Sequence, residues 1–270
     1  MDYLSFLAFI VATGLYWLIG PGGPLHTIDI QSFFRSQLNG DAASSNSVLL
    51  WLVIAPTGVF ILAFVVLSGL FGGITTLVLG TAALFYAFGR EDYPTLTQRF
   101  LARAKAGDSV GAGMVVEAAG GNFDSEDEDD FTDAATRFFS KVAMQRWFAP
   151  VVYFVLLGPA GAVAYRLTQE TQASTTPVGE STMRIIEWLP SRLMALSFAV
   201  FGNFDQTLSH LSENGLSLKA STDEFFEDLA DAALENASAL ALYDRLKGVF
   251  HLLERSFLLW LGVLALFVLI

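Results

Sequence analysis

Cysteine is absent from this 270-residue chain. Disulfides, thiolate zinc sites and thiol nucleophiles are therefore excluded. Histidine occurs only as His26, His210 and His251, with no His-x-x-x-His pair on which a hydrolytic metal is held. Charge is scarce as well: 16% of residues are Asp, Glu, Lys or Arg, and 27 acids against 15 bases give a net charge of −12. A chain of that sign has no basic stripe to neutralise phosphates along a backbone, which argues against nucleic acid as a partner. The acidic run from Asp124 to Asp130 lacks the ligand spacing and turn glycine of an EF-hand and reads as a solvated linker. Gly107 to Met114 (GDSVGAGM) superficially suggests a phosphate loop, yet Ala112 and Gly113 stand where a lysine and a hydroxyl are needed. That piece reads as a flexible loop. No catalytic residue, metal or cofactor is expected, and the balance leans away from an enzyme.

What the chain does have is apolar length. Hydrophobic residues make up 53% of it, 24 of them Phe, and the mean hydropathy is +0.51. The expected class is all-α: a polytopic helical membrane protein with four to five membrane segments plus amphipathic cytoplasmic helices, and the lipid bilayer as its first partner. The whole chain, 1–270, is expected to form a single integral membrane domain. Tyr3 to Ile19 is an uncharged run near the lower length for crossing a core of roughly 30 Å, and is expected to stay as an anchor rather than be removed as a signal. Gly20 to Pro24 stops it. Ile28, Phe33, Phe34 and Leu38 suggest a short surface helix, and Asn39 to Ser47 a polar loop. Val48 to Leu70 and Ile74 to Phe88 form a hairpin of spans around Gly72-Gly73, the paired glycines acting as a turn rather than as a helix-packing motif. Trp147 to Tyr165, with Pro150, Gly158, Pro159 and Gly161, is a fourth span broken near its middle and closed by Arg166. Ser256 to Ile270 is a last anchor.

Two polar regions interrupt these segments. Residues 89–146 hold seven basic residues clustered toward both ends, which by the positive-inside rule makes them a cytoplasmic helical loop and places the N-terminus outside. Helices are expected over Asp92 to Ala106 and Phe131 to Trp147. Residues 204–253 form a polar acidic helical loop, external if 185–201 lies on the outer surface and cytoplasmic if 185–201 crosses; Lys219, Arg245, Lys247 and Arg255 favour the second arrangement. There an amphipathic helix over Thr222 to Leu246 is announced by a capping box at Ser221 and Glu224.

The stretch from Arg184 to Asn203 carries Glu187 and Arg192 in a segment otherwise nearly apolar, around Pro190. Ionic groups in such a segment are costly unless paired or kept near water. An irregular helix kinked at Pro190 is expected, with Arg192 facing protein or a polar cavity. Arg146, Arg166 and Arg192 are the residues whose fork-shaped donors suit a phosphate; the plainer account has them at membrane interfaces, paired with Glu170 and Glu187.

Two stretches carry a family resemblance. Arg146-Trp147-Phe148-Ala149-Pro150 leads into a span ending Gly161-Ala162-Val163-Ala164-Tyr165-Arg166. Glu187-Trp188-Leu189-Pro190-Ser191-Arg192-Leu193 precedes Ala199-Val200-Phe201-Gly202-Asn203. Together they resemble the AmpE family of bacterial inner-membrane regulatory signalling modulators linked to β-lactamase induction. That family is similar to adenosylcobinamide-phosphate synthase (CobD/CbiB) of cobalamin biosynthesis, which uses ATP and magnesium. The acidic and amide positions of the synthase pattern correspond here to Lys141, Val142 and Gln145, and its later Asn-Thr-Leu-Asp-Ser element to Gln169 through Ala173. The resemblance therefore implies a non-catalytic sensor in the bacterial inner membrane, with a protein partner or a lipid or small phosphorylated ligand. Its implied ligand residues are Arg146, Arg166, Glu187, Trp188, Arg192 and Asn203. A diverged enzyme of the synthase type is the alternative.

Overall fold

The computed structural model describes residues 2–19, 31, 34, 45–89, 93–121, 128–172, 179–214, 222–234 and 241–269. Among these every regular element is helical, as the all-α reading requires. Four apolar helical stretches, beginning at Leu49, Gly73, Asp130 and Leu242, are long enough to cross a membrane. The protein is an all-α, multi-pass membrane protein. Its lipid-facing character shows directly in the first of these, Leu49–Phe71, where Leu62, Val65 and Leu70 are 66%, 61% and 70% exposed. A helix that greasy on its outside has no stable place in water.

The chain falls into two compact units. The first comprises 1–90, 145–186 and 263–270; the second comprises 91–144 and 187–262. In the first, α1 (Tyr3–Ile19) is followed by a short turn of helix (Ser45–Val48), a π-helical segment (Leu49–Ile54) and α2 (Ala55–Phe71). α3 (Gly73–Phe88) follows through Gly72, whose φ of 59° only glycine adopts freely. The paired glycines are thus a turn, and a Cβ on Gly69 would meet nothing. α1 and α3 run parallel: Leu4 lies against Gly73, Ala8 against Gly80, and the Tyr16 and Phe88 rings sit 5.4 Å apart.

The fourth membrane segment departs most from expectation. α7 (Ala149–Thr171) is broken, as the glycine and proline content predicts, but the break is a reversal. Gly158 adopts φ 70°, ψ −164°, a conformation essentially reserved for glycine, and Pro159 then opens the second limb, where its missing N–H costs nothing. The limbs lie antiparallel: the Tyr153 and Tyr165 rings stack at 5.3 Å, and Gln169 Nε2 donates to Gln145 Oε1 at 3.2 Å. A Cβ on Gly80, halfway along the 16-residue α3, would lie 3.7 Å from Phe154 and 3.7 Å from Pro159. The tip therefore reaches only the middle of α3. From Gln145 at the mouth to Leu157 the first limb has 13 residues, about 20 Å at 1.5 Å each, short of a bilayer core of roughly 30 Å. Trp147 to Tyr165 is a re-entrant hairpin rather than a crossing, and its second limb continues past Arg166 to Thr171.

Both π-helical segments, Leu49–Ile54 and Met144–Phe148, end two residues before a proline, Pro56 and Pro150. In a regular α-turn the proline ring strikes the carbonyl four residues back. The wider π-turn gives that ring room, and in the second case it also sets the direction of Gln145 and Arg146.

α8 (Glu180–Phe201) runs helically through Pro190, so the segment expected to be irregular is a continuous helix. Pro190 deprives the Ile186 carbonyl of its helical donor, and the Tyr153 hydroxyl donates to that carbonyl at 2.7 Å.

The second unit packs α4 (Tyr93–Lys105), α5 (Ser109–Ala118), α6 (Glu128–Ala143), the end of α8, α9 (Phe204–Asn214), α10 (Thr222–Ala233) and the first part of α11 (Leu242–Leu269). Its core is aromatic, with Phe139 between Phe100 (4.9 Å) and Phe250 (5.0 Å). Buried Arg245 bonds Asp133 at 2.6 Å and also Asp231. The glycine-rich piece expected to be a flexible loop is helix α5, because the Asp108 carboxylate caps it through the Gly111 N–H at 2.8 Å. The helix expected over Thr222 to Leu246 is two, α10 and the start of α11, and the last apolar helix begins at Leu242 rather than Ser256. The surface helix at Ile28 to Leu38, apart from Gln31 and Phe34, lies outside the described residues. So do most of the 39–47 loop, Asp124 to Asp127, Ser221, Ala237 and Leu240.

Candidate functional site

The polar residues of the first unit gather at the mouth of the re-entrant hairpin. Arg166, on the returning limb, has a side chain only 9% exposed. Its Nε donates to Glu170 Oε1 at 3.1 Å and its Nη1 to Gln169 Oε1 at 2.6 Å. The Tyr86 hydroxyl, near the end of α3, donates to the other Glu170 oxygen at 3.0 Å. Gln169 passes the chain on to Gln145 at the entry of the hairpin. Fully buried Gln31 donates to the Leu167 carbonyl at 2.8 Å, tying down the same limb.

Gly89 shapes this mouth. Its φ of 86° and ψ of 177° favour glycine, and a Cβ there would lie 2.9 Å from Arg166 Nη1 and 3.2 Å from Arg146 Nη1. Two guanidinium groups therefore converge on one bare backbone position. Among the described residues the cluster brings together Arg146, Arg166 and Glu170, at the depth where α3 ends. Planar, permanently charged forks so placed suit an anion with several acceptor oxygens.

Of the six expected ligand residues, Arg146 and Arg166 meet here. The other four belong to the second unit. Glu187 is buried. Arg192 packs on aromatic faces, its Cζ 4.2 Å from the Phe225 ring centre and 5.5 Å from that of Trp188, and its Nη1 reaches Ser191 Oγ at 2.9 Å. Arg192 faces protein, as expected, through cation–π contact. Asn203 is a helix cap: its side-chain oxygen accepts from the Gln206 N–H at 3.2 Å at the start of α9. Gly89, Tyr86, Gln145 and Gln169 are absent from the sequence-based site. For Gln145 and Gln169 the signal is position, 13 residues before and 11 after Gly158; Tyr86 and Gly89 carry no such signal.

Gly107-Asp108-Ser109-Val110-Gly111 spells Gly-x-Ser-x-Gly, the short signature of a serine nucleophile elbow. An elbow needs a strand before the turn; here α4 precedes it, and Ser109 is the exposed first residue of α5. Among the described residues no group of three or more His, Asp or Glu is placed to hold a metal ion.

Comparison of the chain with protein-family models, curated proteins and solved structures finds no match. Fold and site define a class, a multi-pass helical membrane protein with a charged re-entrant hairpin.

Proposed function

We propose that this chain is a regulatory or sensory protein of the AmpE type in a bacterial inner membrane, and that its hairpin mouth binds a small phosphorylated ligand. The observation that carries the ligand is the convergence of Arg146 and Arg166 on Gly89. The residues of the first family-like stretch, Arg146–Pro150 and Gly161–Arg166, are the two limbs of the same hairpin, which supports reading the resemblance and the site together. Arg166 is fixed by Glu170 and Gln169, while half-buried Arg146 comes from the entry limb, so occupancy of the site pulls the two limbs toward one another. That coupling suits a sensor, in which ligand binding must bias a mobile pair of elements.

The test uses purified protein in detergent with inorganic pyrophosphate as probe. Wild type binds; Arg146→Met binds at least about tenfold more weakly, the loss of one charge-assisted contact, with an unchanged melting temperature. Equal binding by both proteins overturns the site. Hydrolysis of ATP in the presence of magnesium replaces the regulatory reading with the diverged-enzyme one.

A further inference from the structure

The second unit holds a cleft that none of the preceding chemistry uses. It has a volume of about 380 Å³ and lies where the end of α8 meets α11, with Phe201, Leu234 and Leu252 on its apolar side and Asn203, His251 and Arg255 on its polar side. That volume falls in the roughly 300–1,000 Å³ range of small-ligand sites. Glycine opens it: a Cβ on Gly248 would lie 2.9 Å from Leu234, and one on Gly202 would press on the Ala233 carbonyl. The two helices are pinned below it by Trp260, whose Nε1 donates to Ser197 Oγ at 2.7 Å.

The cleft sits at a sharp change of surface chemistry. On α11 the exposed side chains are His251, Glu254 and Arg255, and one turn on they become Leu258, 64% exposed, with no further charge through residue 270. On α8 Leu196 and Val200, 46% and 58% exposed, lie just before Gly202 and Asn203. Exposed apolar side chains that give way to basic ones within one turn mark a membrane–water interface. A ligand filling a half-apolar, half-cationic cleft at that level is amphiphilic and anionic.

We propose that this cleft binds a phospholipid, with its phosphate diester on Arg255 and His251 and an acyl chain along Val200 and Leu258. Guanidinium and imidazole N–H groups supply donors for phosphate oxygens, and the exposed leucine and valine continue the apolar wall into the bilayer. Glu254 Oε2 lies 3.8 Å from His251 Nδ1, beyond hydrogen-bond reach, and leaves the ring nitrogens available. The site uses neither Arg146 nor Arg166.

Native mass spectrometry of detergent-purified Arg146→Met protein, in which the phosphate site of the hairpin mouth is weakened, tests it with three probes: dioctanoyl phosphatidylglycerol, dioctanoylglycerol and glycerol 3-phosphate. The expected result is a phospholipid adduct that the other two probes do not match, weakened about tenfold or more when Arg255→Met or His251→Gln is added. Both cleft side chains are exposed, so their loss leaves the melting temperature in place. Equal binding of dioctanoylglycerol reduces the cleft to an apolar groove and overturns the proposal. Equal binding of glycerol 3-phosphate makes it a soluble-phosphate site and overturns it too, as does undiminished lipid binding by both double variants.

Discussion

Tyr153 illustrates how one hydroxyl maintains a helix to which it does not belong. Without an N–H on Pro190 the Ile186 carbonyl has no helical donor, and in an apolar surrounding an orphaned carbonyl is costly. Tyr153→Phe removes the substitute donor and is expected to lower stability by about 1 kcal/mol. In a Pro190→Ala background the backbone N–H returns and the same substitution should cost little. Thermal melts of the four proteins of this double-mutant cycle measure the difference; an equal cost in both backgrounds refutes the pairing. The sequence displays Pro190 and Tyr153 as unrelated, because only the hairpin places residue 153 beside residue 186. Gly89 is illegible for the same reason. It looks like the start of a loop, whereas its role depends on two arginines 57 and 77 residues further on.

Apolar length makes α1, α3 and the whole stretch Leu49–Phe71 that ends in α2 legible to within a residue or two, because the bilayer requires little more than uncharged residues over a fixed distance. α7 defeats that rule: hydropathy cannot tell a crossing from a reversal, and Gly158-Pro159 suits a kink as well as a turn. α5 is hidden differently. Its four glycine, alanine and serine positions at the start argue for a loop, and only the Asp108 cap reverses the balance. The Gly111 N–H, and then the Arg103 guanidinium at 2.8 Å, hold the Asp108 carboxyl below its ordinary value of 3.8. A carboxyl held low stabilises the folded form above its unfolded pKa, and the contribution is lost as pH falls through the folded value. Amide protection over residues 111–116 should therefore be higher in wild type than in Asp108→Asn at neutral pH, and the two should converge well below pH 3.8. Hydrogen exchange referenced to intrinsic rates checks this; a gap that persists in strong acid removes the cap from the account.

At the scale of the molecule, the re-entrant hairpin changes the side on which everything after it emerges. α1 and α3 run parallel, so Asp2 lies at the Gly73 end of the first unit and the hairpin mouth at the Gly89 end. A fourth crossing would carry residue 172 to the Asp2 side, whereas a reversal at Gly158 returns it to the mouth beside Gln145 and Gly89. The absence of cysteine makes the distinction direct to measure, because any introduced thiol is the only one. Asp2→Cys and Gln172→Cys, each exposed, are expected to react with a membrane-impermeant maleimide from opposite faces of sealed vesicles of known orientation. Labelling of both from one face contradicts the reversal and turns 149–171 back into a crossing. Opposite labelling instead puts Arg146, Arg166 and Glu170 on the face away from the N-terminus, so that a ligand of the hairpin mouth arrives from the side opposite Asp2, the side expected to be cytoplasmic from the basic residues of 89–146.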